Sequence, residues 1–394
     1  MLQLLRPPFG PKEKSRQEIV KKIMVRPDTK TQLARRTGLS AATITAAVAE
    51  LAKAGLIEGE GERGEVRLRP LTGVAIGVEL GFQHTAVVAR LAHQPFGDAR
   101  VKVIDIGATQ GQDVWLPNLV AAIHALVAQI GNGPDDIATI GMGIPRMVGP
   151  RDHILTPPAL PPWREGENPV SMLTDRLTPS GGGTARRDLV VRLDNDANLG
   201  AMAESVYQHP HRETLIYVKA STGIGAGIVI GGKIVRGARG CAGEIGHIMI
   251  QPRGQYCLCG GRGCLETMIG ADALVRAAKT VLGSKSFDPP HTIDQLLGRA
   301  KEGNPICRRI MREAAMQLGY TIGTLCNVLN PDVVVLGGAF GRAGEIVVEP
   351  CMMGIRRSAM TATCGDDLLL TNSKLTHGTA HGALVMGIEG EGVV

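Results

Sequence analysis

The sequence predicts an N-terminal winged helix-turn-helix over residues 1–70, followed by an α/β body over residues 71–394 folded as two lobes. Three observations carry that reading. In the first seventy residues, three helical apolar patterns are followed by two short alternating runs, which is the element order of a winged helix. After Pro70 the pattern switches to apolar β runs, separated by Gly and interleaved with helical stretches, as in an α/β sheet. The charge divides at the same place: residues 1–70 carry 14 Lys and Arg against 8 Asp and Glu, and the remainder balances at 29 of each. A basic module on a neutral body is suited to nucleic acid, although charge alone fits a solvated basic face equally well.

The predicted N-terminal elements run as follows. Arg16 to Arg26 is a helix with Ile19, Val20 and Ile23 on one face, ended by Pro27 and Asp28. Thr31 to Thr37 is a short helix with Leu33 and Ala34 inward, broken by Gly38, and Leu39 packs the turn. Ser40 caps a longer helix that reaches about Ala54, buries Ile44, Val48 and Leu51, and is closed by Gly55. Leu56 to Pro70 is a hairpin with its tip at Gly59–Gly64 and with Val66 and Leu68 inward. The helix after Gly38 is the one expected to enter the major groove, presenting Ser40, Ala41, Ala42, Thr43 and Thr45 to base edges. Lys30, Arg35, Arg36, Arg63, Arg67 and Arg69 suit phosphates or the minor groove. A helical hairpin used for protein contacts is the alternative.

In the body, strands are predicted at Val74–Leu80, Thr85–Leu91, Arg100–Ile106 and Ile137–Ile144, with a helix at Leu116–Ile130. A second set lies at Leu189–Leu193, Thr214–Lys219, Gly225–Ile230 and Val333–Leu336. The lobes are therefore placed at 71–187 and 188–394, with the C-terminal helix returning to the first lobe. Thr156 to Arg187, rich in Pro and Gly, is placed along the cleft between them. Aromatics are 3% of the chain, too few for base-stacking platforms. No run of about 18 apolar residues spans a membrane, and Met1 to Lys14 lacks the apolar core of a signal peptide. The expected location is the cytoplasm, nucleoid-associated when bound to DNA.

Of eight cysteines, Cys257, Cys259 and Cys264 fall within eight residues. With Gly246-His247 upstream they form Gly-His-x9-Cys-x-Cys-Gly-x2-Gly-Cys-x-Glu, and His247 with the three Cys can close a tetrahedral zinc site around a Gly-rich loop. The competing reading is a set of free buried thiols. Leu193-Asp194-Asn195-Asp196-Ala197-Asn198 follows a buried strand, where an Asp can act as a general base on a hydroxyl or simply cap a helix. Ser221-Thr222-Gly223-Ile224-Gly225 either cradles phosphate or forms a Gly-rich hairpin turn. Asn330-Pro331-Asp332 through Gly337-Gly338 ends a strand in two Gly, where a purine ring can pack against backbone.

Taken together, and in this order, these segments resemble the ROK family of sugar kinases and sugar-responsive repressors over roughly residues 73–390. The resemblance implies an actin-like, ribonuclease H-like body with a structural zinc loop. It also implies that Asp196 is the catalytic base where activity remains, and that Asn195, Glu244, His247 and Glu266 hydrogen-bond sugar hydroxyls. His247 then has two roles, with one ring nitrogen on zinc and the other free for sugar. A leading winged helix separates the family's repressors from its plain kinases.

The departures bear on function as much as the matches. Family kinases open with Asp-x-Gly-Gly-Thr, and here the segment reads Glu79-Leu80-Gly81-Phe82-Gln83-His84. A Phe ring where Gly belongs obstructs ATP phosphates, and phosphoryl transfer depends on their positioning. Gly-x-Pro-Gly becomes Gly143-Ile144-Pro145-Arg146, and Asn-Leu-x-Gly-Trp becomes Ala159-Leu160-Pro161-Pro162-Trp163. Arg146 either recognises a phosphate on the effector or is a surface loop residue, the plainer of the two readings. The expectation is a sugar- or sugar-phosphate-responsive regulator, most simply a repressor. It would bind double-stranded operator DNA as a homodimer or homotetramer, hold its effector between the lobes, and use zinc but not ATP. The alternative is an ATP-dependent sugar kinase with an added DNA-binding domain.

Overall fold

The computed structural model describes the chain from Ser15 to Glu389 except residues 17, 21, 24–27, 54–56, 59–63, 69–72, 93–98, 132, 134–135, 150–152, 156–167, 179–188, 284–288 and 366. The N-terminal unit begins with helical residues between 15 and 23. The helix Lys30–Thr37 follows, opened by a reciprocal cap in which the Gln32 backbone N–H donates to Thr29 Oγ1 and the Thr29 N–H donates to Gln32 Oε1. It ends on Gly38 in the left-handed region at φ 69°, which frees the chain to turn into the helix Ala41–Lys53. Ser40 Oγ accepts from the Thr43 backbone N–H at 3.1 Å, the cap expected of it.

The wing has one strand more than the sequence predicts. Asp28–Thr29 pairs with Glu65–Leu68, which pairs in turn with Ile57–Glu58. Ile19, Val20, Ile23, Leu33, Ile44, Val48, Leu51, Ile57 and Val66 form the core of this unit.

In the body, the first five-stranded sheet runs in the order Val190–Asn195, Ile137–Ile144, Val74–Leu80, Thr85–Leu91, Arg100–Ile104. The second runs Lys233–Ile234, Ile224–Ile230, Thr214–Ala220, Val333–Gly337, Leu369–Asn372. The lobe boundary placed at residue 188 is therefore corrected. Val190–Asn195 pairs in parallel with Ile137–Ile144 along its whole length and completes the first sheet, so the chain leaves that lobe only after Asn195. The helix Gln112–Gln129 covers the first sheet, beginning four residues before the predicted Leu116 because Trp115 is also buried. Of the Pro- and Gly-rich segment placed along the cleft, the described part is the helix Pro169–Leu177, whose Leu173 packs into the first core.

The second core is built largely on the helix Pro305–Leu329, which sequence periodicity had not singled out. Its signals are present nonetheless: Asn304 accepts from the Ile306 and Cys307 N–H groups, Pro305 starts the first turn, and Cys307, Met311, Ala314, Leu318, Ile322 and Cys326 are buried at helical spacing.

The helix Gly378–Glu389 crosses back onto the first sheet, where Ala380 and Leu384 pack with Ala75, Ala86 and Val88. Its other contacts reach Leu199 and Met202 on the helix Asp196–Ala203. The approach is close enough that a methyl group on Gly141 would lie 1.9 Å from the Ala383 carbonyl oxygen. Gly141→Ala is therefore expected to destabilise the chain by about 1–3 kcal/mol through overpacking. Gly298, in the helix Ile293–Lys301 with open space around it, gives the opposite result on replacement by Ala, a gain of about 0.5–1 kcal/mol. Denaturant midpoints of the two variants check both signs.

Candidate functional site

On the N-terminal unit, Arg35, Ser40, Ala41, Ala42 and Thr45 are exposed, and Lys30 and Thr43 are half-buried. The Ser40 and Thr43 hydroxyls hydrogen-bond each other at 2.8 Å, and Thr45 Oγ1 donates to the Ala41 carbonyl at 2.8 Å. Arg36 differs from expectation. Its guanidinium is ion-paired to the buried carboxylate of Asp28, so it braces the first wing strand rather than reaching outward. Arg67 is exposed beside Glu65, 2.9 Å away. Arg63 and Arg69 lie outside the described residues.

The second cluster gathers on the Gly-rich loop. One ligand atom from each of His247, Cys257, Cys259 and Cys264 lies within 4.8 Å of the others, a set able to hold a metal ion. Cys257 Sγ is 3.5 Å from His247 Nδ1, and Cys259 Sγ is 3.7 Å from Cys264 Sγ. Gly263, at φ 68°, lets the loop double back, since any side chain there would strike the Gln251 carbonyl. With Nδ1 turned to the thiols, His247 Nε2 points the other way and lies 3.9 Å from Glu244 Oε2.

That second nitrogen faces a set of carboxylates. Burial, reinforced by the nearby charges of Asp196 and Glu266, pushes the Glu244 carboxyl up to about 7. Glu266 Oε2 accepts from the Ile224 backbone N–H at 2.9 Å, which ties it to the Ser221–Gly223 turn. Four of the six expected effector-binding residues, Asp196, Glu244, His247 and Glu266, are thus brought together. A fifth, Asn195, has its side chain engaged within the chain. Its Oδ1 caps the helix Asp196–Ala203 by accepting from the Ala197 and Asn198 N–H groups, and its Nδ2 donates to the Arg146 carbonyl at 3.0 Å.

Two of the segments matched to nucleotide binding pack against the rest of the chain. Phe82 is half-buried, and its carbonyl accepts from the Thr109 N–H and hydroxyl, pinning the loop to residues 107–110. The Arg146 guanidinium lies over the Phe82 ring, 5.7 Å from its centre. Arg146 is 4% exposed, which overturns its reading as a surface loop residue, and burial lowers its pKa. The two glycines that end the Val333–Gly337 strand meet protein rather than open space: Gly337 faces the Tyr217 ring and Gly338 faces the Ala220 carbonyl.

Lys219 is the residue that sequence reasoning passed over. Its ammonium lies 2.9 Å from Asp196 Oδ2 and 3.1 Å from Glu79 Oε1. Burial alone would lower its pKa, but the two carboxylates outweigh that and raise it well above the ordinary lysine value. Glu79, conversely, is held below the usual carboxylate range: burial would raise it, and Lys219 more than compensates, aided by His84 and His377. The available signal was a lone Lys inside the apolar strand Thr214–Ala220, where a charge requires a partner.

Comparison with known proteins agrees with this arrangement. A profile of winged helix-turn-helix DNA-binding segments matches residues 29–58. The xylose repressor of Caldicellulosiruptor bescii is 27% identical over 344 residues, covering 82% of each chain. The crystal structure of a ROK family transcriptional regulator, described as a homologue of the Escherichia coli MLC protein, superposes with a TM-score of 0.71 at 21% identity, covering 97% of this chain and 100% of that one. A ROK family glucokinase from Streptomyces griseus, solved with glucose and AMPPNP, superposes at 0.66 with 25% identity, over 80% of this chain and 100% of its own. The match to the kinase covers four-fifths of this chain and the match to the regulator nearly all of it. The ROK family profile itself matches residues 75–389, four-fifths of the chain, and the protein belongs to the ROK family.

Proposed function

We infer that this protein is a sugar-responsive, DNA-binding transcriptional repressor. One observation carries the reading: a winged helix-turn-helix precedes a ROK body in which the sugar-matching side chains Asp196, Glu244 and Glu266 gather beside His247. The helix Ala41–Lys53 would read the major groove with Ala41, Ala42, Thr43 and Thr45. Their small side chains give methyl contacts rather than bidentate ones, so phosphate contacts by Lys30, Arg35, Arg63 and Arg67 would supply much of the affinity. Two copies, or two pairs, would meet a two-fold operator in the cytoplasm, at the nucleoid. The name of the C. bescii relative makes xylose the first effector to test.

Zinc fits the metal cluster. Tetrahedral coordination with Zn–S near 2.3 Å and Zn–N near 2.0 Å requires sulfur–sulfur separations of about 3.8 Å and sulfur–nitrogen separations of about 3.6 Å. One sulfur–sulfur pair shows 3.7 Å and one sulfur–nitrogen pair 3.5 Å, and all four ligand atoms lie within 4.8 Å of one another. Once bound, zinc would supply a fixed Nδ1-ligated tautomer of His247. The residues would then do the rest: Nε2 is presented to a sugar hydroxyl, Glu244, Glu266 and Asp196 accept from neighbouring hydroxyls, and Asn195 holds Asp196 in place by capping its helix. Arg146, buried beside this set, would meet a phosphate carried by the effector.

A kinase is the second reading, favoured by Asp196 at a helix N-terminus beside the Ser221–Gly223 turn. Sugar-dependent ADP release at about 1–100 s⁻¹, abolished by Asp196→Asn, would establish it in place of sensing. The repressor reading expects no such turnover.

Further outcomes are expected of DNA binding, stability and effector binding. On a fragment of the chain's own promoter, Arg35→Ala and Arg67→Ala should each flatten the salt dependence of binding by about 0.9 in the log–log slope per lost phosphate contact. Arg36→Ala should mainly lower the melting temperature, because it takes the guanidinium from buried Asp28. In a thermal-shift screen of pentoses, hexoses and their phosphates, an effector should raise the melting temperature. Chelation of zinc should abolish that response and also lower the baseline. Arg146→Ala should weaken a phosphorylated sugar at least tenfold more than the free sugar, and equal losses in the two isotherms would remove Arg146 from phosphate recognition.

A further inference from the structure

The Lys219 ammonium sits where four segments meet. Besides Asp196 and Glu79, it lies 3.3 Å from Thr379 Oγ1. Glu79 belongs to the strand Val74–Leu80 of the first sheet, Lys219 to the strand Thr214–Ala220 of the second, Asp196 opens the helix between them, and Thr379 lies in the first turn of the returning helix. Thr379 Oγ1 also donates to the Asp196 carbonyl at 3.1 Å. An ammonium has three N–H bonds and no acceptor, and three oxygens surround this one at 2.9–3.3 Å. Glu79 is 8% exposed and Thr379 3%, while the Lys219 and Asp196 side chains keep 20% and 16%, so water screens the group only in part.

Two carboxylates converging on one point in a partly dry site repel each other and need a cation between them. Two carboxylate oxygens and a hydroxyl are hard ligands, the kind that hold magnesium next to a phosphate. In phosphoryl transfer a divalent ion neutralises charge between the nucleotide phosphates and the acceptor. The position between Glu79, in the segment matched to the first phosphate loop, and Asp196, matched to the catalytic base, is where that ion would be required.

The geometry points to Lys219 as a built-in substitute for a divalent cation. Its ammonium takes the place between Glu79 and Asp196 that a magnesium-sized ion would otherwise occupy, so the counter-charge of the site is carried by the chain itself. Such a site stays neutralised without a nucleotide to deliver metal. Both lobes are also tethered to one side chain that dilution cannot remove. The readout is metal uptake, so its outcome is separate from that of the repressor reading.

The test uses full-length protein saturated with zinc, with Mn²⁺ as the probe, followed by equilibrium dialysis and electron paramagnetic resonance. The wild-type chain should take up no Mn²⁺ that depends on Glu79. Lys219→Met, which keeps the length of the side chain but removes the charge, should gain one equivalent of Mn²⁺ per chain. That equivalent should be displaced by Mg²⁺ and lost again on adding Glu79→Gln. A folded Lys219→Met protein that takes up no Mn²⁺, or whose uptake is indifferent to Glu79→Gln, overturns the inference, as does a Glu79-dependent equivalent already present in the wild type. Should Lys219→Met not fold, Lys219→Gln is the second variant. Folding of either on addition of Mn²⁺ supports the substitution, and failure of both at every Mn²⁺ concentration shows that the ammonium does something a divalent ion cannot, which also sinks it.

Discussion

The carboxylate of Asp194 is completely buried, and the geometry of the site follows from how it is satisfied. It accepts the Asn195 backbone N–H at 2.7 Å and the Asn198 side-chain amide at 2.9 Å through Oδ1, while the Arg236 guanidinium meets Oδ2 at 2.9 Å. An unpaired charge at this depth would cost several kcal/mol, so all three partners must be in place. Their positions fix the end of the Val190–Asn195 strand, where the chain turns out of the first sheet, and hence the start of the helix Asp196–Ala203. Asn195 then caps that helix, and Asp196 emerges from its first turn towards Lys219. A buried charge that stabilises little on balance thus gives the junction a single conformation.

The same logic of paired charge extends outward from Asp194. Moving away from it, Asp196 and Glu79 are answered by Lys219, Glu266 by the Ile224 backbone N–H, and Glu244 by His247 and its own raised pKa. The acidic side of the site is therefore arranged to accept hydrogen bonds from hydroxyl groups. On the other side Phe82 lies under the Arg146 guanidinium, and Tyr217 packs against Gly337.

The parts legible in the sequence were those with local signals. The strands Val74–Leu80, Thr85–Leu91 and Ile137–Ile144 have the predicted limits; Gly73 and Gly81 mark both ends of the first, and Pro145 marks the end of the third. The Cys-x-Cys-Gly spacing marked the metal cluster because the ligands lie on one short loop. Pairings between distant segments were hidden. Nothing near residue 190 says that its strand joins the first sheet, because that is decided by a partner some fifty residues earlier. Arg36 reads as a basic surface residue until Asp28 is found beneath it, and Arg146 reads as a loop residue until Phe82 is found beside it. Lys219 was passed over for the same reason: its partners, Glu79, Asp196 and Thr379, come from three widely separated stretches of chain.

Coupling between a sugar and an operator requires that the sugar bind two arrangements of the lobes unequally. The structure locates where that inequality can arise. The sugar-matching residues are divided between the metal loop and the Glu266 turn of the second lobe and Asp196 at the end of the first sheet, so a ligand bridging them is sensitive to the angle between the lobes. Lys219 already bridges the same gap, and a hydroxyl that takes a lone pair of Asp196 must share that carboxylate with the ammonium. Ligand and tether therefore act on one atom set, and a change in either is felt by the other. The returning helix Gly378–Glu389 packs on both the first sheet and the helix that carries Asp196, so the two are held together by closely packed backbone.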